Sequence, residues 1–263
     1  MSTPCEIILF CKTGQKAEQT SKAILYEAKR LEKKYNYYDT NSLLSKINLR
    51  QENKLDLETK TLLQRAKQYY KLTENIFDIT IATIKDIYVD EKSIENLEQK
   101  KANLLKYVGC EHFEIKKNKL YFDNTYTKID LGGFVKEYSV DRAVNIIKKH
   151  KIQSALINFG GDIFVIGKKP NGEKFKIGIK NPIDKTKYIK FIELENEALT
   201  TSASYERFYE IENQQFSHIL SKTNTLNAKS VTVISKNCVE SGVFSTSLMI
   251  NPKLKTKNRV IIF

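Results

Sequence analysis

Two glycine pairs stand out in a chain with only ten glycines. The first lies in Ile129-Asp130-Leu131-Gly132-Gly133-Phe134-Val135-Lys136, where a strand-like start runs into a helix. Glycines at such a junction let a phosphate or ribose approach the backbone, and the N–H groups of a helix start favour an anion. Lys136, in the first turn, adds a positive charge. The second pair, in Asn158-Phe159-Gly160-Gly161-Asp162, follows an apolar strand and permits a tight bend beside a ligand. Each pair alone is more often a turn than a ligand site. His218 is one of three histidines and can be read as a proton acceptor or as a side chain satisfied by one backbone partner; His112 and His150 take the second reading. The run Thr200-Thr201-Ser202-Ala203-Ser204 is ambiguous alone, since Ser/Thr runs usually mean a loop. Ser245-Thr246-Ser247 on a helix offers metal-ligating hydroxyls, or hydroxyls that bond back to their own helix.

These residues need elements to hold them. Glu6 to Cys11 reads as a short buried strand. Gln15 to Tyr35 carries Ile24, Ala28, Leu31 and Tyr35 at helical spacing, which predicts one buried helix face. A second helix is predicted over Asp56 to Leu72, with Asp56 or a neighbour as cap and Leu62, Leu63, Ala66, Tyr69 and Tyr70 facing inward. A third covers Ser93 to Tyr107 and stops at Gly109. Phe113 to Phe122 reads as a hairpin turned at Lys117-Asn118. A helix over Gly133 to His150 precedes strands at Ala155 to Asn158, Ile163 to Ile166, Phe175 to Ile179, Tyr188 to Leu194 and Val231 to Ser235. A helix over Glu240 to Ile250 and a strand over Val260 to Phe263 complete the chain. Helices and strands mix without strict alternation, so the class is α+β or α/β with a largely antiparallel sheet.

The 263 residues suffice for a sizeable core, as one domain or two tightly packed lobes. With 29% charged and 41% apolar residues the composition is that of a globular protein. No apolar run approaches the roughly 20 residues of a membrane span. Met1 to Phe10 shows no secretory signal, so a cytoplasmic location is expected, or a periplasmic one if an export segment has been removed. The four cysteines include no Cys-x-x-Cys and read as reduced thiols. The net charge of +13 is spread over lysines along the whole chain, without a basic stripe or a nucleic-acid motif. No nucleic-acid partner is expected, and the positive field suits an anionic substrate such as a dinucleotide.

In order and spacing, these pieces resemble one family, the ApbE-type FAD:protein FMN transferases, from about residue 1 to 250. Met1-Ser2-Thr3 resembles the family's Met-Gly-Thr, and Ser42 to Asn48 its Ser-x-x-x-x-x-Asn helix. Phe77-Asp78-Ile79-Thr80 is similar to Phe-Asp-Pro-Thr. Asp130 to Asp141 is similar to Asp-Leu-Gly-Gly-x-x-Lys-Gly-Tyr-x-x-Asp, with Glu137 where glycine is usual. Asn158 to Asp162 fits Asn-x-Gly-Gly-Asp. Thr201-Ser202 with Tyr205 to Phe208 fits Thr-Ser-Gly-x-Tyr-x-Arg-Phe, with Ala203 for glycine, and His218-Ile219-Leu220 fits His-Ile-x.

The resemblance implies an ApbE-type (T-fold-like) α+β fold and a magnesium-assisted enzyme. Such an enzyme transfers the FMN half of FAD to a Thr or Ser hydroxyl of a flavoprotein partner and releases AMP. It implies His218 as base and Thr246 as a catalytic and metal-binding hydroxyl. It implies Tyr38, Asn48, Asp78, Thr80, Gly132, Gly133, Lys136, Asp141, Gly160, Gly161, Asp162, Ser202 and Arg207 around the cofactor. The family's metal motif is Asp-x-x-x-Thr plus a backbone carbonyl, here that of Gly133. Thr246 is present, but Gly242 stands at the aspartate's place; Glu240 is the nearby acid that would reach in if the backbone shifts. Ser221-Lys222 replaces an Asp-Pro after His218. A flavin-binding relative without transfer activity is the alternative.

Overall fold

In the computed structural model, which describes residues 4–184, 186–205, 208–223 and 225–263, the elements follow the predicted pattern closely. They begin with strand β1 (Cys5–Phe10), which lies at the sheet edge with no fully buried residue, against the buried strand expected there. Helix α1 (Gly14–Tyr35) follows, whose buried face includes Ile24, Ala28, Leu31 and Tyr35 as the spacing requires. Helix α2 (Leu43–Asn48) starts at Ser42, whose hydroxyl accepts from the Ser45 N–H. Helix α3 (Leu57–Leu72) is capped by Asp56, which accepts from the Thr59 N–H at 2.8 Å. Three short helices follow, α4 (Ala82–Lys85), α5 (Ile87–Asp90) and α6 (Ile94–Leu104). The hairpin of β2 (Phe113–Lys116) and β3 (Lys119–Phe122) turns at Lys117, which takes a left-handed φ of 55°.

Helix α7 (Gly132–Lys149) leads into β4 (Ser154–Phe159) and β5 (Asp162–Ile166). The hairpin β6 (Phe175–Lys180) and β7 (Tyr188–Leu194) precedes β8 (Glu197–Ala203). A second hairpin, β9 (Phe208–Ile211) and β10 (Gln214–Ser217), is followed by β11 (Ser230–Ser235), helix α8 (Cys238–Ile250) and β12 (Arg259–Ile262).

Six strands form one sheet in the order β1-β4-β5-β8-β11-β12, every neighbouring pair antiparallel. The class is therefore α+β with an antiparallel sheet. Helices α1 and α7 cover one face through Ile24, Ala28, Val140, Val144 and Ile147 against Ile157, Phe164 and Ile166. The β6–β7 hairpin covers the other face, where Phe175, Ile179 and Leu194 meet Leu156, Val165 and Leu199. With both faces covered, β5 and β11 are buried along their whole length. Helices α2 and α3 and the β2–β3 hairpin enclose a second cluster with Phe134 and Val135 of α7 and Val239 and Val243 of α8.

A second expectation is corrected. Thr200 to Ser204 is not a loop: residues through Ala203 form β8, which pairs with β5 and β11 inside the sheet. Thr200 and Ser202 face polar partners on α8 and Thr201 meets Thr232 of β11, so the run lacks the apolar alternation that marks a strand. Thr200 Oγ1 lies 2.9 Å from Ser241 Oγ, and Ser202 Oγ lies 2.8 Å from Ser245 Oγ.

Candidate active site at the glycine pairs

The segment entering α7 is held from two sides. Asn48, at the end of α2, donates its side-chain N–H to the Ile129 carbonyl at 2.8 Å and accepts the Ile129 N–H at 2.8 Å. The Asp130 N–H donates to the Ile79 carbonyl at 2.9 Å, which binds the Asp78–Thr80 turn to the same segment. Inside that turn Asp78 Oδ1 accepts from the Thr80 N–H and hydroxyl, while Thr80 Oγ1 accepts the Gly109 N–H at 2.7 Å. Burial pushes the Asp78 carboxyl above its ordinary range, and the Thr80 hydrogen bonds pull against it. Asn48, Asp78 and Thr80 thus fix the backbone around Asp130, although Asp78 Oδ2 is buried without a hydrogen-bond partner.

Asp130 organises the rim. Its Oδ1 accepts the Gly132 N–H at 2.8 Å, and its Oδ2 receives Lys85 Nζ at 2.6 Å. Lys85 also lies 4.7 Å from the ring centroid of Tyr38, an aromatic that is 68% exposed beside the first glycine pair. Gly133 departs from helical geometry, with φ −90° and ψ 19°, and no atom lies within 4 Å of where its side chain would begin. At the second pair, Gly160 and Gly161 take φ of 62° and 93°, conformations that side chains disfavour, and Gly161 likewise has open space beside it.

An ion pair joins the two segments. Lys136 Nζ, one turn past Gly133, lies 2.7 Å from Oδ2 of Asp162, which directly follows Gly161. Burial alone would lower the Lys136 ammonium, but the Asp162 and Glu137 carboxylates outweigh it and keep it firmly protonated. Burial drives Asp162 upward, and Lys136 opposes that shift. Through β5–β8 pairing Asp162 stands opposite Thr200, so Ser202 and the α8 hydroxyls join the same region; Thr246 Oγ1 lies 3.2 Å from Ser202 Oγ.

Asp141 lies farther along α7, where its two oxygens accept the Cys238 and Val239 N–H groups. His218 follows β10 in an exposed bend. Its neighbour Ile219 packs against the cluster that includes Phe244 and Leu248 of α8. Lys222, shortly after, reaches to 3.8 Å from Asp78 Oδ2. Met1 to Thr3 and Arg207 lie outside the described residues. His112 and His150 have partners, Asp123 and Thr20. Two surface depressions of about 710 and 390 Å³ lie elsewhere, one beside Asn181 and Phe263 and the other beside Arg50 and Phe122, and neither glycine pair lines them.

A divalent cation is implied by the family pattern, and its fit depends on oxygen ligands. Among the described residues no three His, Cys, Asp or Glu side chains form a cluster able to hold a metal alone. Glu240 does not reach beside Gly242: its carboxylate receives the side-chain N–H groups of Asn237 and Asn258, both at 3.2 Å. The carboxylate beside Gly242 belongs to Glu137, a residue whose acidity sequence reasoning left unused. Glu137 Oε2 is buried without a hydrogen-bond partner, so the residues present fit a cation.

The antiparallel sheet, the helix that starts at a glycine pair and the second glycine turn beside it define an α+β protein with a polar site between two glycine turns. The model of the ApbE family matches residues 1–260, and the chain belongs to that family. A Vibrio cholerae FAD:protein FMN transferase is 26% identical over 229 residues, covering 81% of this chain and 67% of its own. A Buchnera aphidicola FAD:protein FMN transferase is 28% identical over 235 residues, covering 83% and 69%. The crystal structure of a Thermotoga maritima ApbE protein superposes with a TM-score of 0.88 at 26% identity, covering 99% of this chain and 90% of that one. A Vibrio cholerae flavin transferase shares the fold, with a TM-score of 0.84 at 22% identity, covering 100% of this chain and 90% of that one.

Proposed function

We propose that this chain is an FAD:protein FMN transferase that moves FMN from FAD to a Thr or Ser hydroxyl of a partner flavoprotein, with magnesium. The observation that carries this reading is the Lys136–Asp162 ion pair, which joins two glycine turns with open backbone on both sides. Membership of a family whose named relatives carry that activity supports it.

In this reading the acceptor oxygen attacks the FMN-side phosphorus of the pyrophosphate. A phosphoester bond to the protein forms, the bridging P–O bond breaks, and AMP leaves with the electron pair. The acceptor proton goes to His218, the base. A bound divalent cation supplies charge neutralisation on the phosphate oxygens. The backbone at Gly132-Gly133 and Gly160-Gly161 allows the pyrophosphate close approach, and Tyr38 offers a face on which a ring of the dinucleotide can stack. Asn48, Asp78, Thr80 and Asp141 position these segments, and Ser202 and Thr246 present hydroxyls to them. Arg207 is kept as a cofactor residue by family resemblance alone.

The alternative of flavin binding without transfer is motivated by Gly242 and by the Ser221-Lys222 replacement. A carboxylate from Glu137 beside Gly242 weakens the first of these motives. Incubating the protein with FAD, magnesium and a flavoprotein acceptor, then reading covalent flavin by in-gel fluorescence, tests the proposal. Labelling that disappears in His218→Ala is expected; no labelling at any divalent-cation concentration would refute it.

A further inference from the structure

Glu137 and Gly242 occupy one space from opposite helices. A side chain begun on Gly242 would place its Cβ 2.5 Å from Glu137 Cγ and 3.0 Å from Oε1, so the Glu137 carboxyl sits where that side chain would be. Glu137 is only 5% exposed, and its Oε2 has no hydrogen-bond partner. Lys136 and its own backbone N–H act on this carboxyl, but Oε2 is left buried without a donor, a state that buried polar atoms rarely keep. The cation beside it, Lys136, makes its ion pair with Asp162. The third nearby carboxylate, Asp141, is satisfied by two N–H groups of α8.

Oxygen-bearing residues flank the Glu137–Gly242 contact along both helices. Thr246 lies four residues beyond Gly242 on α8, and Gly133 lies four residues before Glu137 on α7, so each shares a helix face with the contact. Thr246, Ser202 and Ser245 form a hydroxyl patch with separations of 2.8 and 3.2 Å. Glutamate rather than aspartate is what the crossing needs, because the carboxyl must extend from α7 to the far helix.

The geometry points to Glu137 as the acidic ligand of a divalent-cation site between α7 and α8, delivered across Gly242 in place of a side chain on α8. The Thr246 hydroxyl and the Gly133 carbonyl are its neutral oxygen partners. A hard cation such as magnesium, which keeps waters and takes one or two carboxylates plus substrate phosphates, suits this set. The assignment rests on the proposed function for the phosphate that completes the shell, and it predicts a cation site measurable without FAD.

The test is binding of Mn²⁺ to the full chain, followed by electron paramagnetic resonance, and of Mg²⁺ by calorimetry, both without flavin. Wild type should bind, and Glu137→Gln should bind about tenfold or more weakly, as a carboxylate ligand is lost. Gly242→Asp alone should not strengthen binding, because its side chain collides with Glu137. The double variant Glu137→Gly with Gly242→Asp should restore affinity to within a few-fold. Thermal melting in EDTA separates a ligand from a structural residue: Glu137→Gln should melt no lower than wild type and should lose the magnesium-induced rise. Equal affinities for wild type and Glu137→Gln, no cation binding by wild type, or a Glu137→Gln that melts lower in EDTA would each overturn the inference. Glu137-dependent cation binding without flavin transfer would uphold the site while refuting the function; full transfer by Glu137→Gln would do the reverse.

Discussion

Asp141 accepts the backbone N–H of Cys238 at 2.7 Å and that of Val239 at 3.2 Å, so a carboxylate on α7 closes the first turn of α8. The helix start carries a partial positive charge, which the carboxylate complements. Because α8 carries Gly242, Ser245 and Thr246, this contact sets the register of the hydroxyl patch against Glu137. Replacing Asp141 with Ala should cost about 1–3 kcal/mol, with two N–H groups losing their partner. Asp141→Asn, which keeps one acceptor, should cost less. Urea denaturation followed by circular dichroism measures both.

The Asn48 clamp leads to a separable effect. Asn48→Ala removes both hydrogen bonds to Ile129 and should cost about 1–3 kcal/mol. Asn48→Asp retains the acceptor for the Ile129 N–H and loses the donor. Both should weaken FAD binding, measured by flavin fluorescence quenching, because the Asp130–Gly133 entry loosens.

At the second glycine turn, Gly161→Ala meets open space but a φ of 93°. The side chain therefore brings backbone strain and no collision, at a cost of about 1–2 kcal/mol. FAD affinity should fall more than stability does, since the added methyl stands where close approach is needed. Comparing the melting shift with the change in FAD dissociation constant checks this.

Acid stability should depend on Glu58. It receives Arg30 at 2.7 Å and Lys34 at 2.7 Å, tying α1 to α3. Burial tends to raise its pKa, but these two cations outweigh burial and hold it at about 2. A carboxyl with a lowered folded-state pKa contributes stability above its unfolded value near 4.5, and that contribution is lost as pH falls toward 2. Glu58→Gln should be destabilised at pH 7 by about 1.5–3 kcal/mol, and the gap from wild type should narrow between pH 4.5 and 2. Melting curves across that range provide the measurement.

Much of this arrangement was legible from residue order. The α1 face, the Asp56 cap, the Lys117 turn and the helix opening at Gly132-Gly133 depend on local chemistry, which a sequence displays directly. Strand β8 was hidden because Thr200 and Ser202 meet Ser241 and Ser245, partners distant in the chain. Without those partners, a hydroxyl run reads as solvated. The roles of Asn48 and Asp141 were visible as residue types at the right spacing, but their attachment to backbone required the fold. Glu137 and Gly242 each stood out as departures from the family pattern. That one fills the space left by the other depends on the packing of α7 on α8, which neither local sequence records.

That interlock constrains how the chain can change. Introducing aspartate at 242 first would force two carboxyl groups into a volume that holds one, an overpacked and repulsive intermediate. Shortening Glu137 first opens a small gap that neighbouring side chains can partly fill, leaving the pocket without acid until the second exchange. The two positions therefore form an epistatic pair, in which the effect of either residue is defined only once the other is known.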